Sequence, residues 1–345
     1  MSLHSEILEQ PDCLANLLRS QRPMVERVVT SIASRNVPFV LLAARGTSDN
    51  AGRYANYLLG AINRLPLALA TPSLFTYYER PPDLHGALVI GISQSGHSPD
   101  IVSVLEEGRR QGCLTLAITN SPGPPLGHAA DFVIDIQASP ELAVAATKSY
   151  TAELMSVAML SAALQGASEG WEILGKVPGW LRTTLELAET IAAAARRFQG
   201  IQRCAVIARG YNYCTAFEWA LKLKELAYVE AEPYSSADFQ HGPIAMVDKG
   251  FPVLTVIVEG KVADSMMPVL QHLRRDLLAE LAIVSNLASA LSLAPAAFRL
   301  PAGIPEQTTP IVSIIAGQLF AYHLTLAKSL DPEKPRTISK VTDTR

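Results

Sequence analysis

The sequence repeats itself once. Residues 39–46, an apolar run closed by Arg45-Gly46, return as residues 204–210, closed by Arg209-Gly210, and the two glycines lie 164 positions apart. Each run has strand length and ends in a turn signal, and each is followed by a helical pattern, over residues 50–59 in the first copy and 215–228 in the second. Downstream, residues 87–92 match 252–257, and residues 116–120 match 281–286. Apolar strands alternating with helical stretches such as 100–111 and 265–277 predict parallel sheets covered by helices on both faces. The chain is therefore expected to hold two tandem copies of one doubly wound α/β domain, each an α-β-α sandwich.

The repeat also places the boundaries. Residues 1–34 read as an N-terminal helical segment, 35–165 as the first copy, 180–330 as the second and 331–345 as a C-terminal tail. Helical residues 151–164 close the first copy, the Gly, Pro and Trp of 166–179 read as a connection, and 181–198 read as one helix opening the second copy. Asp331-Pro332-Glu333-Lys334-Pro335 cannot propagate a helix, so the tail is expected to be extended. Two cores are affordable: of 345 residues, 49% are hydrophobic and 18% charged, with a mean hydropathy of +0.19, which excludes a disordered chain.

A net charge of −3, from 29 basic and 32 acidic residues, supplies no broad basic surface, so neither nucleic-acid nor membrane-surface binding is expected. The apolar stretch 311–330 is interrupted by Gln318, His323 and Lys328 and reads as a buried helix rather than a membrane span. No export signal opens the chain. Cys13, Cys113, Cys204 and Cys214 lack paired spacing, which predicts free thiols in a reducing cytoplasm and no structural zinc.

In an open parallel sheet, ligands bind outside the carboxyl ends of the strands, where loops run into helix N-termini. Ser93-Gln94-Ser95-Gly96-His97-Ser98-Pro99-Asp100 falls at such a place. Its hydroxyls, its glycine and the free N–H groups of a starting helix suit an anion, with Thr47 and Ser48 contributing from the neighbouring loop. The alternative is a plain turn with a serine cap. The second copy has Val258-Glu259-Gly260-Lys261 instead, so one phosphate site per chain is expected, held by hydroxyls and backbone. No GxxxxGK[ST] or GxGxxG points to a nucleotide.

The second copy carries Glu218, Lys222 and Glu225 at i, i+4 and i+7, one face of a helix. Either this is an exposed ion-paired face, or, with His241 in its Gly-Pro loop, a set of acid–base groups for proton transfer.

Taken together, Gly46-Thr47-Ser48, Ser93-Gln94-Ser95-Gly96, Ala146-Thr147-Lys148, the run from Ala220 to Glu225, His241-Gly242-Pro243 and the tail's Pro335-Arg336 and Ser339-Lys340 resemble the double sugar-isomerase (SIS) family. The similarity is to the isomerase half of glucosamine-6-phosphate synthase and to the stand-alone SIS-type glucosamine-6-phosphate deaminases, and it runs the length of the chain from residues 6–11 onward. It implies two tandem SIS domains, with Thr47, Ser48, Ser93, Gln94, Ser95 and Ser98 on the sugar phosphate and Val144 and Ala146 against the substrate. Glu225 would be the base between C1 and C2, Lys222 its electrostatic partner and Glu218 a substrate-positioning carboxylate. His241 would assist ring opening in the neighbouring subunit's site, which implies a homodimer. Lys340, in a tail over the site, would contact the open sugar and could form a Schiff base. Neither metal nor cofactor is implied.

Four departures matter. The chain starts at the SIS portion without the synthase's glutaminase cysteine. Arg45 stands where the synthase has Cys, and Ala146 where it has Ser. The tail, Ser339-Lys340-Val341-Thr342, is closer to the deaminase type. The expectation is a cytoplasmic enzyme converting glucosamine 6-phosphate to fructose 6-phosphate and ammonia. Its alternatives are a related phosphosugar isomerase, an ammonia-dependent glucosamine-6-phosphate-forming enzyme, a fructosamine-6-phosphate deglycase, and a non-catalytic sugar-phosphate sensor.

Overall fold

The computed structural model describes residues 2–340; Val341 and Thr342 of the tail motif lie outside them. The chain divides into two compact units. The N-terminal unit holds residues 12–141, 148–176 and 339–340, and the C-terminal unit holds residues 2–11, 142–147 and 177–338. Helix α1 (Leu3–Arg35) belongs by its first residues to the C-terminal unit and by the remainder to the N-terminal one.

In the N-terminal unit, strands and helices alternate: β1 (Val40–Ala43), α2 (Gly46–Asn63), β2 (Leu67–Leu69), α3 (Ser73–Thr76), β3 (Leu88–Ile92), α4 (Pro99–Arg110), β4 (Leu114–Thr119), α5 (Leu126–Ala129), β5 (Phe132–Asp135) and α6 (Lys148–Gln165). All pairings are parallel, in the order β2-β1-β3-β4-β5, with Leu41 opposite Val89 and Ile90 opposite Leu116. Strands β1, β3 and β4 are buried throughout, as near-continuous Val, Leu and Ile runs require when helices cover both faces.

The C-terminal unit repeats the plan. After α7 (Ser168–Leu185), whose second half belongs here, come α8 (Ala188–Arg197), β6 (Arg203–Ala208), α9 (Tyr213–Ala227), β7 (Glu230–Ser235), α10 (Ser236–Gln240), β8 (Pro252–Val256), α11 (Ala263–Arg275), β9 (Glu280–Ser285), α12 (Ala288–Leu291), β10 (Ala296–Arg299) and α13 (Thr309–Ala327). Its sheet order, β10-β9-β8-β6-β7, is the same topology read from the other edge. Gly46 and Gly210 both adopt left-handed φ, +53° and +63°, just past the first strand of each copy, a conformation that glycine takes without a Cβ penalty. The two tandem α/β copies expected from the sequence are present.

Two local expectations are corrected and a third is met. Residues 166–179 are largely helical, because α7 starts at Ser168 and carries Pro178 inside it. Residues 181–198 are two helices, α7 and α8, interrupted between Leu185 and Ala188. The stretch 311–330 is α13, which passes the length and hydropathy test for a membrane span with 78% of that window buried. Its apolar surface is spent on the core, where Phe320 meets Trp219 and Phe198 edge-on at 5.6 Å each.

Candidate active site

Strands β1 and β3 are neighbours, and their connections lead in opposite directions, to β2 on one side and β4 on the other. Their carboxyl ends therefore form the crevice at the sheet's topological switch point, where α/β proteins bind ligands. Two turns line it. In the first, extended Arg45 precedes Gly46, and Thr47 is half-buried in the opening turn of α2. Ser48 is buried, and its hydroxyl donates to Glu153 Oε1 of α6 at 2.8 Å.

The second turn is the serine loop. Ser93 N–H donates to Ile118 O, extending the β3–β4 ladder, and Gly96 N–H donates back to Ser93 O at 3.2 Å. Gly96 sits at φ +70°, and a Cβ there would lie 2.9 Å from Ser121 O, so the turn accepts only glycine without a shift. The Ser93 and Ser98 hydroxyls face each other at 3.2 Å, and His97 N–H donates to Ser95 Oγ at 3.3 Å. Ser98 is the residue before α4, yet its side chain makes no cap bond. The plain-cap reading of this serine is thereby removed, and Ser93, Gln94, Ser95 and Ser98 are gathered at one helix start.

A charge pair joins the two turns. Arg45 Nε lies 2.6 Å from Oδ2 of Asp100, whose side chain is fully buried in the first turn of α4. Asp49, one turn into α2, pairs with Arg53 at 3.1 Å; burial pushes its carboxyl above the ordinary range, against the pull of Arg53 and Arg45.

The C-terminal copy explains why it has no second cradle. Where the serine loop would stand, Lys261 N–H donates to Glu306 Oε2 at 2.8 Å. Glu306 Oε1 reaches to 4.0 Å from the Cβ position of Gly210, on the other turn, and burial followed by this carboxylate pushes the Tyr211 phenol up. A carboxylate from the chain itself thus occupies the second crevice. Glu306 follows Pro305 as Glu141 follows Pro140, 165 positions earlier. Glu141 is turned elsewhere: it accepts from Ser149 N–H at 3.1 Å, Ser149 Oγ at 2.7 Å and Lys340 Nζ at 2.7 Å.

On α9 the reading of an exposed ion-paired face fails. Glu218 and Lys222 are buried, with side-chain exposures of 0% and 1%, while Glu225 keeps 23%. Lys222 Nζ stands 3.4 Å from Glu218 Oε1 and donates to Glu225 Oε2 at 2.6 Å. Burying such a cluster is costly unless each charge is compensated, and here one cation lies between two carboxylates with one of them open to solvent.

His241 is exposed, on the loop after α10, and no hydrogen bond or ion pair among the described residues joins its ring to the α9 cluster. Val144 and Ala146 are half-buried on a segment tied to Glu6, whose carboxylate accepts from the Leu142 and Ala143 N–H groups. Lys340 lies in the N-terminal unit, held by Glu141. Asp100, Glu141 and Glu306 were not singled out from sequence; the repeated Pro-Glu pair is the one trace that could have exposed the last two. All four cysteines are reduced and buried, and burial pushes the Cys204 thiol up to about 12.

Comparison with known proteins fits this geometry. The SIS domain profile matches residues 35–163 and again 198–328. The chain belongs to the SIS domain family. This SIS protein is 34% identical, over 366 residues, to the isomerizing glutamine–fructose-6-phosphate aminotransferase of Thermosynechococcus vestitus, covering 97% of the chain and 58% of that relative. It thus spans little more than half the length of the curated relative. The C-terminal domain of glucosamine-fructose-6-phosphate aminotransferase from Francisella tularensis has a TM-score of 0.84 at 25% identity, over 96% of this SIS protein and 98% of that chain. Glucosamine-6-phosphate deaminase from Thermotoga maritima shares the fold, with a TM-score of 0.79 at 19% identity and complete coverage of both chains.

Proposed function

We propose that this SIS protein is a phosphosugar enzyme that converts glucosamine 6-phosphate and water to fructose 6-phosphate and ammonia. The observation that carries the reading is the α9 cluster: a buried lysine clamped between two carboxylates, with only Glu225 reaching solvent, is an expensive arrangement for a structural helix and a suitable one for proton transfer. The serine loop, with Thr47, takes the phosphate through hydroxyls and N–H groups. His241 helps open the sugar ring, serving the neighbouring subunit of a homodimer. In the open aldehyde, Glu225 removes the C2 proton as the C1 carbonyl takes up the electron pair, and the same carboxyl returns the proton to C1. Lys222 stabilises the negative charge that develops, and Glu218, fully buried, holds Lys222 in place and so positions the substrate through it. As the amine nitrogen gives up a proton and the C1 oxygen takes one, C1 becomes an alcohol and C2 an imine; water adds to the imine carbon, the C–N bond breaks and ammonia leaves, giving the ketone. Lys340, fixed by Glu141, contacts the open chain, and Val144 and Ala146 line the sugar.

The similarity to aminotransferases supports a second reading on the same residues, the reverse amination of fructose 6-phosphate by ammonia. Ammonia release from purified protein supplied with glucosamine 6-phosphate tests the first. Glu225→Gln is expected to lower kcat by about 10²-fold or more; undiminished turnover in that variant, or none in wild type, refutes it.

A further inference from the structure

We infer that Arg45 is a specificity-determining residue of the N-terminal crevice: its guanidinium contacts the phosphate of the bound sugar. This deepens the proposed function and rests on its assignment of the phosphate to the serine loop. Arg45 is the single Lys or Arg in the two turns, residues 44–48 and 93–100, so it is their one permanent cation for a dianionic group. A guanidinium has five N–H donors. Asp100 takes the Nε donor, and among the described residues the four donors of the terminal nitrogens have no hydrogen-bond partner. Held by Nε, the group keeps its flat end available, the part whose paired N–H bonds match a phosphate.

The C-terminal copy serves as an internal control. There Arg209, at the place of Arg45, also bridges the two turns, through Nη1 to Ser265 Oγ at 3.3 Å, and Ser265 stands 165 positions after Asp100. Joining the turns therefore belongs to the scaffold. What differs in the N-terminal copy is the anchor: a fully buried carboxylate, bonded at 2.6 Å, that fixes the arginine by Nε. The anion differs as well. The C-terminal crevice holds the Glu306 carboxylate between its turns, whereas the matching Glu141 is engaged with Ser149 and Lys340. An anion between these turns is thus part of the design of both copies, and in the N-terminal one it comes from outside the chain.

The full-length wild type, Arg45→Gln and Arg45→Lys are titrated calorimetrically with inorganic phosphate and glucosamine, and, in the Glu225→Gln background that slows turnover, with glucosamine 6-phosphate, with melting temperatures recorded alongside. Arg45→Gln is expected to bind both phosphate probes at least about tenfold more weakly and glucosamine unchanged, with Arg45→Lys recovering part of the loss. For turnover, KM rises by the same factor while kcat stays within about threefold. Unchanged phosphate affinity in Arg45→Gln overturns the inference, even if the melting temperature falls, since a bridge between turns affects stability alone. Glucosamine bound as tightly as its 6-phosphate when Arg45 is present also overturns it. If Arg45→Gln strands Asp100 and does not fold, the double variant Arg45→Gln/Asp100→Asn replaces it, with the same two readings. A wild type that binds the phosphosugar without turnover refutes the catalytic role of Glu225, and the titrations still decide the role of Arg45.

Discussion

Replacing Lys222 by methionine keeps the length and helix propensity of the side chain and removes its charge. Two carboxylates lose their cation, and their exposures decide the cost. Glu225 has the shorter contact, 2.6 Å against 3.4 Å, but with 23% of its side chain exposed it can turn to water. Glu218 has no such exit at 0% exposure, so most of the penalty falls on the longer contact. Removing one partner of a buried pair costs about 3–5 kcal/mol, a third or more of the stability of a typical domain, and corresponds to a fall in melting temperature on the order of 10 °C. Thermal unfolding followed by circular dichroism measures it. Glu218→Gln added to Lys222→Met replaces the buried charge by a neutral group of the same shape and should recover at least half of the loss. A single variant within about 1 kcal/mol of wild type, or a double variant no better than the single, would show that burial of Glu218 is not what makes Lys222 necessary.

Two further outcomes follow from the geometry. Gly96→Ala forces a Cβ into left-handed φ and to 2.9 Å from a carbonyl oxygen, so a loss of about 2 kcal/mol and a raised KM for the phosphosugar are expected; a variant as stable and as active as wild type contradicts the turn described. His323, with Nε2 buried and without a hydrogen-bond partner among the described residues, has its pKa lowered, first by burial and then by the charges of His4 and Arg196. The unfolded chain therefore binds the proton more readily than the folded one. Stability from this group is complete above its unfolded pKa of about 6.5 and declines as pH falls through the lowered folded value, so His323→Phe should flatten the drop in melting temperature on acidification, and an unaltered pH profile counts against it.

Much of the scaffold was legible because periodicity is local. Strand-length apolar runs, Arg-Gly turns and the helices after them recur within the chain, and the structure places β1 and β6, β3 and β8, and β4 and β9 where the repeat expected them. Helix α7 escaped because its Gly, Pro and Trp were read as punctuation, whereas a helix packed on a core tolerates Pro178 and Gly175 within it. The place of the serine loop, between the end of β3 and the start of α4, was also legible, because the apolar run before it and the helical pattern after it are local signals.

The sequence by itself determined that the chain is two copies of one parallel α/β domain, and which loops carry hydroxyls, carboxylates and lysines. Only the tertiary structure decided what those groups do to one another. Spacing on α9 is the same for a solvated face and a buried one; the packing around the helix removed Glu218 and Lys222 from water and left Glu225 at its edge. Arg45 meets Asp100 across 55 positions, and Lys340 meets Glu141 across 199, pairings no local pattern contains. Glu306 fills one crevice while its counterpart Glu141 binds a lysine. The physical reason is the same each time: charge and hydrogen bonding act over a few ångströms of space, and only the folded chain sets which residues lie within that range.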